Sequence, residues 1–285
     1  MTGYPGGGLL AGIMSHRFLH LLPLLVVLPL AAAEPGWKLV WSDEFDRDGA
    51  PDPAKWGHEV GYLRNNEEQY YTSGRLENAR VEKGHLIIEA RKEVYQLGKD
   101  HPRSKGRDKA DITSASLTTQ GKAEWTHAKV EVRAKLPEGR GVWPAIWMLG
   151  TDIDKAGWPA CGEIDIMEFV GHDPGTVHAN VHTKGYNHTK GNGRGNKVKV
   201  PDASTAFHVY AVEWTKEKMR FLVDDKCYFE CPNDGTGVDS WPFDKPQYLI
   251  LNLAIGGAWG GQKGIDEKIF PQRMTVDYVR VYERK

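Results

Sequence analysis

Glu163, Asp165 and Glu168 crowd into one short segment, Cys161-Gly162-Glu163-Ile164-Asp165-Ile166-Met167-Glu168-Phe169. Three neighbouring carboxyls repel one another, and such crowding raises at least one pKa. A sequence shaped for stability alone would avoid that arrangement. Glycoside hydrolysis requires it. One carboxylate must be ionised to work at the anomeric carbon, and a second must hold a proton for the leaving oxygen. Retaining enzymes hold the pair roughly 5–5.5 Å apart, whereas inverting enzymes leave room for a water between the two. Acids on a single strand suit the closer spacing better than the wider one.

The elements that position these acids are strands. Glu163 and Asp165 alternate with Ile164 and Ile166, so both acids share one strand face. Regular alternation would then turn Glu168 into the apolar face, where a carboxylate is costly. One extra residue, a β-bulge near Ile166-Met167, restores Glu168 to the face of the other two. Period-2 alternation recurs along the chain, most clearly in Ala128–Leu136, where Val130, Val132, Ala134 and Leu136 oppose Lys129, Glu131, Arg133 and Lys135. Further runs are His85–Arg91, His178–His182, His208–Thr215, Met219–Asp224, Tyr248–Ile255 and Met274–Tyr282. Asp224-Asp225 separates two alternating runs and predicts a hairpin turn. No segment after residue 34 carries an apolar helical stripe over three turns. The fold class is therefore all-β, a sandwich or barrel of antiparallel sheets.

Composition agrees. The chain has 285 residues and a formal net charge of −1, which argues against a nucleic-acid binder built on a basic face. An apolar content of 40% is too high for a mostly disordered chain. Ten Trp, 11 Tyr and 32 Gly suit an all-β protein that meets a neutral, stackable ligand. Three Cys cannot form a disulfide scaffold. Cys227 and Cys231, four apart on extended chain, lie beyond disulfide reach, so no disulfide is expected.

The first 33 residues read as an address. Leu21–Ala33 is apolar but too short to span a membrane. It follows His16, Arg17 and His20 and ends in Ala31-Ala32-Ala33, the order of a secretory signal peptide. Met14 is a more ordinary start for such a signal than Met1. Residues 34–285 are then a single domain, secreted to an extracellular or periplasmic space, with no membrane attachment after cleavage.

The strand Gly162–Glu168 resembles the bulged active-site strand of glycoside hydrolase family 16. Trp41-Ser42-Asp43-Glu44-Phe45, the Asn65–Thr72 turn, Gly141–Leu149, Leu251–Gly257 and Asp277–Tyr282 follow that family's order. The likeness spans about residues 37–283 and is greatest to endo-β-1,3-glucanases. It implies a β-jelly-roll sandwich of two antiparallel sheets with a concave substrate cleft. It also implies Glu163 as nucleophile, Glu168 as general acid/base, and Asp165 between them to hold Glu163 and tune protonation. No cofactor is needed for catalysis. The implied partner is a β-1,3-glucan polysaccharide, met by a monomer. Rivals within the family are a mixed-linkage glucanase, an agarase, a carrageenase or a transglycosylase. The rival outside catalysis is a β-glucan-binding protein, which typically lacks one or both of the acids found here.

Sugar rings present an apolar face to indole, so Trp143, Trp147, Trp158 and Trp259 are the candidate cleft aromatics. Trp143 and Trp147 share a face on a two-residue period, Trp158 just precedes Glu163, and Trp259 sits in a Gly-rich loop. The resemblance adds Asn65, Arg91 and His182 as cleft positions. It also implies a structural calcium on the convex side, held by Glu44, the Gly84 carbonyl and Asp277. His178 and His182 do not form a zinc pair, because four residues of strand span about 13 Å. The loops Gln96–Ala110, rich in Lys and Arg, and Asn187–Lys199, rich in Gly, Asn and Lys, are read as surface loops or as lips of the cleft.

Overall fold

The computed structural model describes residues 36–98 and 101–285, together with Gly3. The expected signal segment, residues 1–33, otherwise lies outside the described residues. Residues 34–285 form one compact unit. Within it, two β-sheets pack face to face. Each of the seven runs chosen from alternation is a strand, with ends shifted by a few residues.

One sheet has seven strands in the order Arg194–Lys199, Thr176–His182, Glu163–Phe169, Val142–Gly150, Gln247–Ile255, Ser116–Thr118, Gly57–Glu59. Every neighbouring pair in it is antiparallel. The other sheet has ten strands. Its central members are His208–Trp214, Ala128–Lys135, Gln272–Arg284 and His85–Gln96. It is antiparallel except at Tyr70–Tyr71, which runs parallel to Lys109–Ser114. The architecture is the antiparallel β-sandwich of a jelly roll.

The core lies between the sheets. Val130, Val132 and Ala134 meet Ile146, Met148, Ile164, Leu249, Leu251 and Leu253 there, all fully buried. Full burial of such a side chain contributes about 1.5–3 kcal/mol. These side chains fix the register of the seven-stranded sheet, because a one-residue slip would turn every one of them to the opposite face. That register in turn sets which side chains line the opposite, functional face.

Asp224 and Asp225 both adopt positive φ, 48° and 64°, closing the expected hairpin between Val223 and Lys226. The segment Asn187–Lys199 departs from expectation. Its second half, Arg194–Lys199, is a strand paired with Thr176–His182. It carries almost no apolar residues because it is an edge with mostly solvated faces. The free border of this strand meets the outermost strand of the other sheet, Lys226–Pro232. Asn196 Nδ2 donates to the Tyr228 carbonyl at 3.0 Å, and Arg194 Nη1 to the Pro232 carbonyl at 3.3 Å.

Candidate active site

The functional face of the seven-stranded sheet carries a cleft of about 730 Å³. Its base is the strand Glu163–Phe169. Asp165 pairs with Trp147, but Met167 pairs with the next residue, Ile146, so Ile166 is the extra residue of a β-bulge. Ile166 and Met167 both point into the core. The strand therefore spends two successive residues on the apolar side, and Glu163, Asp165 and Glu168 all line the cleft. Gly162 introduces this strand at φ +83°, and a Cβ there would stand 2.7 Å from the Phe243 ring. Only glycine satisfies both conditions.

Each acid has its own partners. Trp158 Nε1 donates to Glu163 Oε2 at 2.8 Å. Trp143 Nε1 donates to Glu168 Oε1, and Asn180 Nδ2 to Glu168 Oε2, each at 3.0 Å. His182, directly opposite Glu163 on the neighbouring strand, places Nε2 3.3 Å from Asp165 Oδ2 and 3.8 Å from Glu163 Oε1. Burial pushes all three carboxyls above the usual carboxylate range. For Glu163 the charges of Asp165 and Glu168 add to that effect, while His182 and the Trp158 bond oppose it. For Asp165, Glu168 adds to it and a hydrogen bond with Glu163 opposes it. For Glu168 the bonds from Trp143 and Asn180, and then His182, work against burial. The trio thus holds protons into a pH range where isolated carboxylates have lost them. That is the property a general acid needs. Cys161, next to the strand, is buried, and its thiol is pushed up to about 11, so it supplies no nucleophile.

Of the residues read from the sequence, Asn65, Trp143, Trp147, Trp158, His182 and Trp259 line the cleft with the acids. Their settings differ. Trp158 is 39% exposed and offers an open indole face, whereas Trp147 is 7% exposed. The guanidinium of Arg64 lies 4.8 Å from the Trp147 ring centroid, so Trp147 is part of the floor. Trp259 meets Trp143 edge to face at 5.6 Å.

Arg91 is placed differently. It lies on the ten-stranded sheet, paired with the buried carboxylate of Glu89, and is not among the cleft residues. The proposed calcium ligands are also committed elsewhere. Arg280 grips both oxygens of Glu44, at 3.0 and 2.8 Å. Arg133 holds Asp277 at 2.6 Å, with His85 3.4 Å away. Gly84 occupies a turn at φ +76°. Calcium prefers a cage of six to eight oxygens. Two carboxylates already neutralised by guanidinium groups do not fit it.

Among the cleft residues that the sequence did not single out are Arg64, Glu67, Asn180 and Asn252. Glu67 is buried and accepts bonds from Gln69, Asn65 and Tyr71. Tyr71 in turn accepts from Asn252 Nδ2 at 3.0 Å, and Asn252 Oδ1 accepts from Trp147 Nε1 at 2.7 Å. This chain ties the Asn65–Gln69 turn to the cleft floor. Asn65 and Asn66 both sit at positive φ, which asparagine tolerates better than most residues. Gly257 packs against that turn. A Cβ there would meet the Asn65 carbonyl oxygen at 2.9 Å. Only the repeated Asn and Gln types of this turn were visible in the sequence, not their convergence. The loop Gln96–Ala110 contributes nothing to the cleft among its described residues. Instead it folds over Tyr62 and Tyr70, with Arg107 4.5 Å from the Tyr62 ring centroid and the Pro102 carbonyl bonded by Tyr70.

Comparison with known proteins agrees with this geometry. The family described as "Glycosyl hydrolases family 16" matches residues 66–280. A "Beta-glucanase" of Rhodothermus marinus is 51% identical over 283 residues, covering 94% of this chain and 95% of that protein. The crystal structure of the laminarinase from Rhodothermus marinus superposes with a TM-score of 0.80 at 52% identity, covering 87% of this chain and 98% of that one. A non-specific endo-β-1,3(4)-glucanase, crystallised with 1,3-β-D-cellotriosyl-glucose, superposes with a TM-score of 0.83 at 49% identity. That match covers 89% of this chain and 97% of the other.

Proposed function

This chain belongs to glycosyl hydrolase family 16, and from that membership we propose that it is a secreted endo-glycosidase that cleaves β-1,3-linkages of β-glucan with retention. The observation that carries the reading is the bulge at Ile166, which gathers Glu163, Asp165 and Glu168 on the floor of a Trp-lined cleft.

The geometry supports a double displacement. Glu163, held by Trp158, attacks the anomeric carbon. Glu168, held by Trp143 and Asn180, gives its proton to the departing oxygen. A covalent glycosyl-enzyme results, and Glu168 then takes a proton from the water that hydrolyses it. Asp165, between the two acids and beside His182, orients Glu163 and raises its proton affinity. Trp158 and Trp259 supply indole surface for pyranose rings, and Asn65, Arg64 and Asn252 supply polar contacts. No resident cofactor enters these steps, and none is routed through calcium, two of whose proposed ligands, Glu44 and Asp277, are paired with arginines.

Secretion rests on the basic, apolar and small-residue order of residues 1–33. Among the described residues no helix is long and apolar enough to cross a membrane. A monomer is the proposed state. A second reading, tolerance of mixed-linkage β-1,3(4)-glucan, is favoured by the likeness to the non-specific glucanase.

Reducing-end release on laminarin, curdlan, mixed-linkage glucan, agarose and carrageenan tests the substrate, with Glu163→Gln as the control. Hydrolysis of laminarin and curdlan is expected, and activity on a galactan alone would overturn it. Proton NMR of the first product reads the anomer; an initial α-anomer from the β-linked substrate would rule out retention.

A further inference from the structure

We propose that Glu163, Asp165 and His182 also form a binding site for a transition-metal ion of the zinc class, and that an ion bound there shuts the cleft reversibly. One ligand atom from each of these three residues lies within 4.8 Å of the other two. His182 Nε2 is 3.3 Å from Asp165 Oδ2 and 3.8 Å from Glu163 Oε1. Zinc holds nitrogen and oxygen ligands at about 2.0–2.2 Å in a tetrahedron, which sets neighbouring ligand atoms roughly 3.3–3.6 Å apart. Two edges of the triangle are already close to that length.

The site is also unsatisfied. Asp165 Oδ2, the oxygen nearest His182 Nε2, is buried with no hydrogen-bond partner. Its side chain is only 5% exposed. A buried acceptor without a donor is costly to leave unmet. A cation between Asp165, Glu163 and His182 would meet it, and would replace the mutual repulsion of the carboxyls with attraction.

The donor set selects the ion. Imidazole suits zinc, copper and nickel, whereas calcium and magnesium want oxygen ligands throughout. Three protein ligands leave a fourth position facing the cleft. Metal-bound histidines almost always donate their second ring N–H to a fixed acceptor. His182 Nδ1 has none, so the ion is exchangeable rather than resident. Sequence spacing hides the site, because Glu163 and His182 meet only through the pairing of two strands. Coordinated Glu163 cannot attack a sugar. That consequence rests on the role proposed for Glu163, whereas ion binding itself does not.

Isothermal titration of the full chain with zinc chloride, in a non-chelating buffer at pH 7, reads binding directly, with magnesium chloride as the control. One zinc per chain is expected and no magnesium heat. Affinity should fall roughly tenfold or more in His182→Gln and in Asp165→Asn, each checked for fold by circular dichroism. Should either variant fail to fold, Glu163→Gln carries the same comparison. A β-1,3-glucan oligosaccharide, added at a concentration shown to saturate, should weaken zinc binding, and EDTA should restore hydrolysis. Unchanged zinc affinity in the folded variants, or zinc binding indifferent to bound oligosaccharide, overturns the site. Zinc binding that the variants weaken, in a protein that cleaves no β-glucan, would keep the metal site and overturn the glucanase reading alone.

Discussion

Asp165 and Glu168 stand three positions apart on one strand, yet both carboxyls open into the same cleft. In a regular strand they would face opposite ways. Ile166 makes the difference, as a residue with no partner of its own on Val142–Gly150.

Deleting Ile166 should leave a regular strand with all three acids still on the cleft face. Both flanking strands already hold Glu168 two positions from Asp165, opposite Ala145 and His178. The deletion therefore keeps its register but removes the bend and extra twist of the bulge, re-aiming the carboxyl relative to the donors Trp143 and Asn180. A misplacement of 1 Å can cost on the order of 100-fold, so hydrolysis should fall, by up to about that factor. Circular dichroism should report a retained fold with a lower melting temperature, because a buried isoleucine is lost. Full activity in the deletion would show that the bulge is dispensable.

Removing the proton donor should be selective. Glu168→Ala is expected to slow hydrolysis of natural glucan by about 10²–10⁴-fold. Aryl β-glucosides with good leaving groups need less protonation and should lose far less in the glycosylation step. Pre-steady-state release of the aryl group measures that step, and equal losses on both substrates would argue against the acid role.

The raised carboxyls also tie stability to pH. In the folded chain Glu163 binds its proton more tightly than the ordinary carboxylate value of 4.5. The folded state therefore holds more protons than the unfolded one. Stability falls as pH rises from that range through the raised folded value. Glu163→Gln removes this charge, so its melting temperature should exceed the parent's at pH 7, by about 2–4 °C for each 1 kcal/mol relieved. The gain should shrink below about pH 4. Asp165→Asn removes a charge that raises Glu163, and should move the acidic limb of the pH–rate profile to lower pH. Thermal melts and pH profiles decide both, and a limb shifted upward would contradict the electrostatic assignment.

Tyr71→Phe tests the polar chain beneath the cleft. It deletes the hydroxyl between Asn252 and Glu67 and leaves the Asn252 amide without that acceptor. Urea denaturation should show a loss of about 1–3 kcal/mol. A weaker apparent affinity for substrate is expected as Trp147 and the Asn65 turn lose their common anchor. An unchanged midpoint would mean the chain is structurally idle.

Much of this was legible in the sequence because alternation survives wherever one face is buried. The strands around Val130–Val132 and Leu249–Leu253 announced themselves, and the parity break at Glu168 announced the bulge. Arg194–Lys199 did not, since an edge strand with solvated faces has no apolar rhythm. Arg64, Glu67, Asn180 and Asn252 were silent for another reason. Each is a common polar residue whose meaning comes from cross-strand and loop-to-loop packing. Arg91 shows the converse, a position suggested by likeness whose charge is absorbed by Glu89 on the opposite sheet.

The meeting of the two border strands bears on behaviour at high concentration. Strand borders with unmet backbone groups recruit further chains and seed aggregates. Here Asn196 and Arg194 occupy carbonyls of the facing border at Tyr228 and Pro232. Lys197 and Lys199 add charge beside them. An incoming strand finds acceptors already engaged and positive charge in its path. The seam thus guards the folded protein against edge-to-edge polymerisation, independently of anything the cleft does.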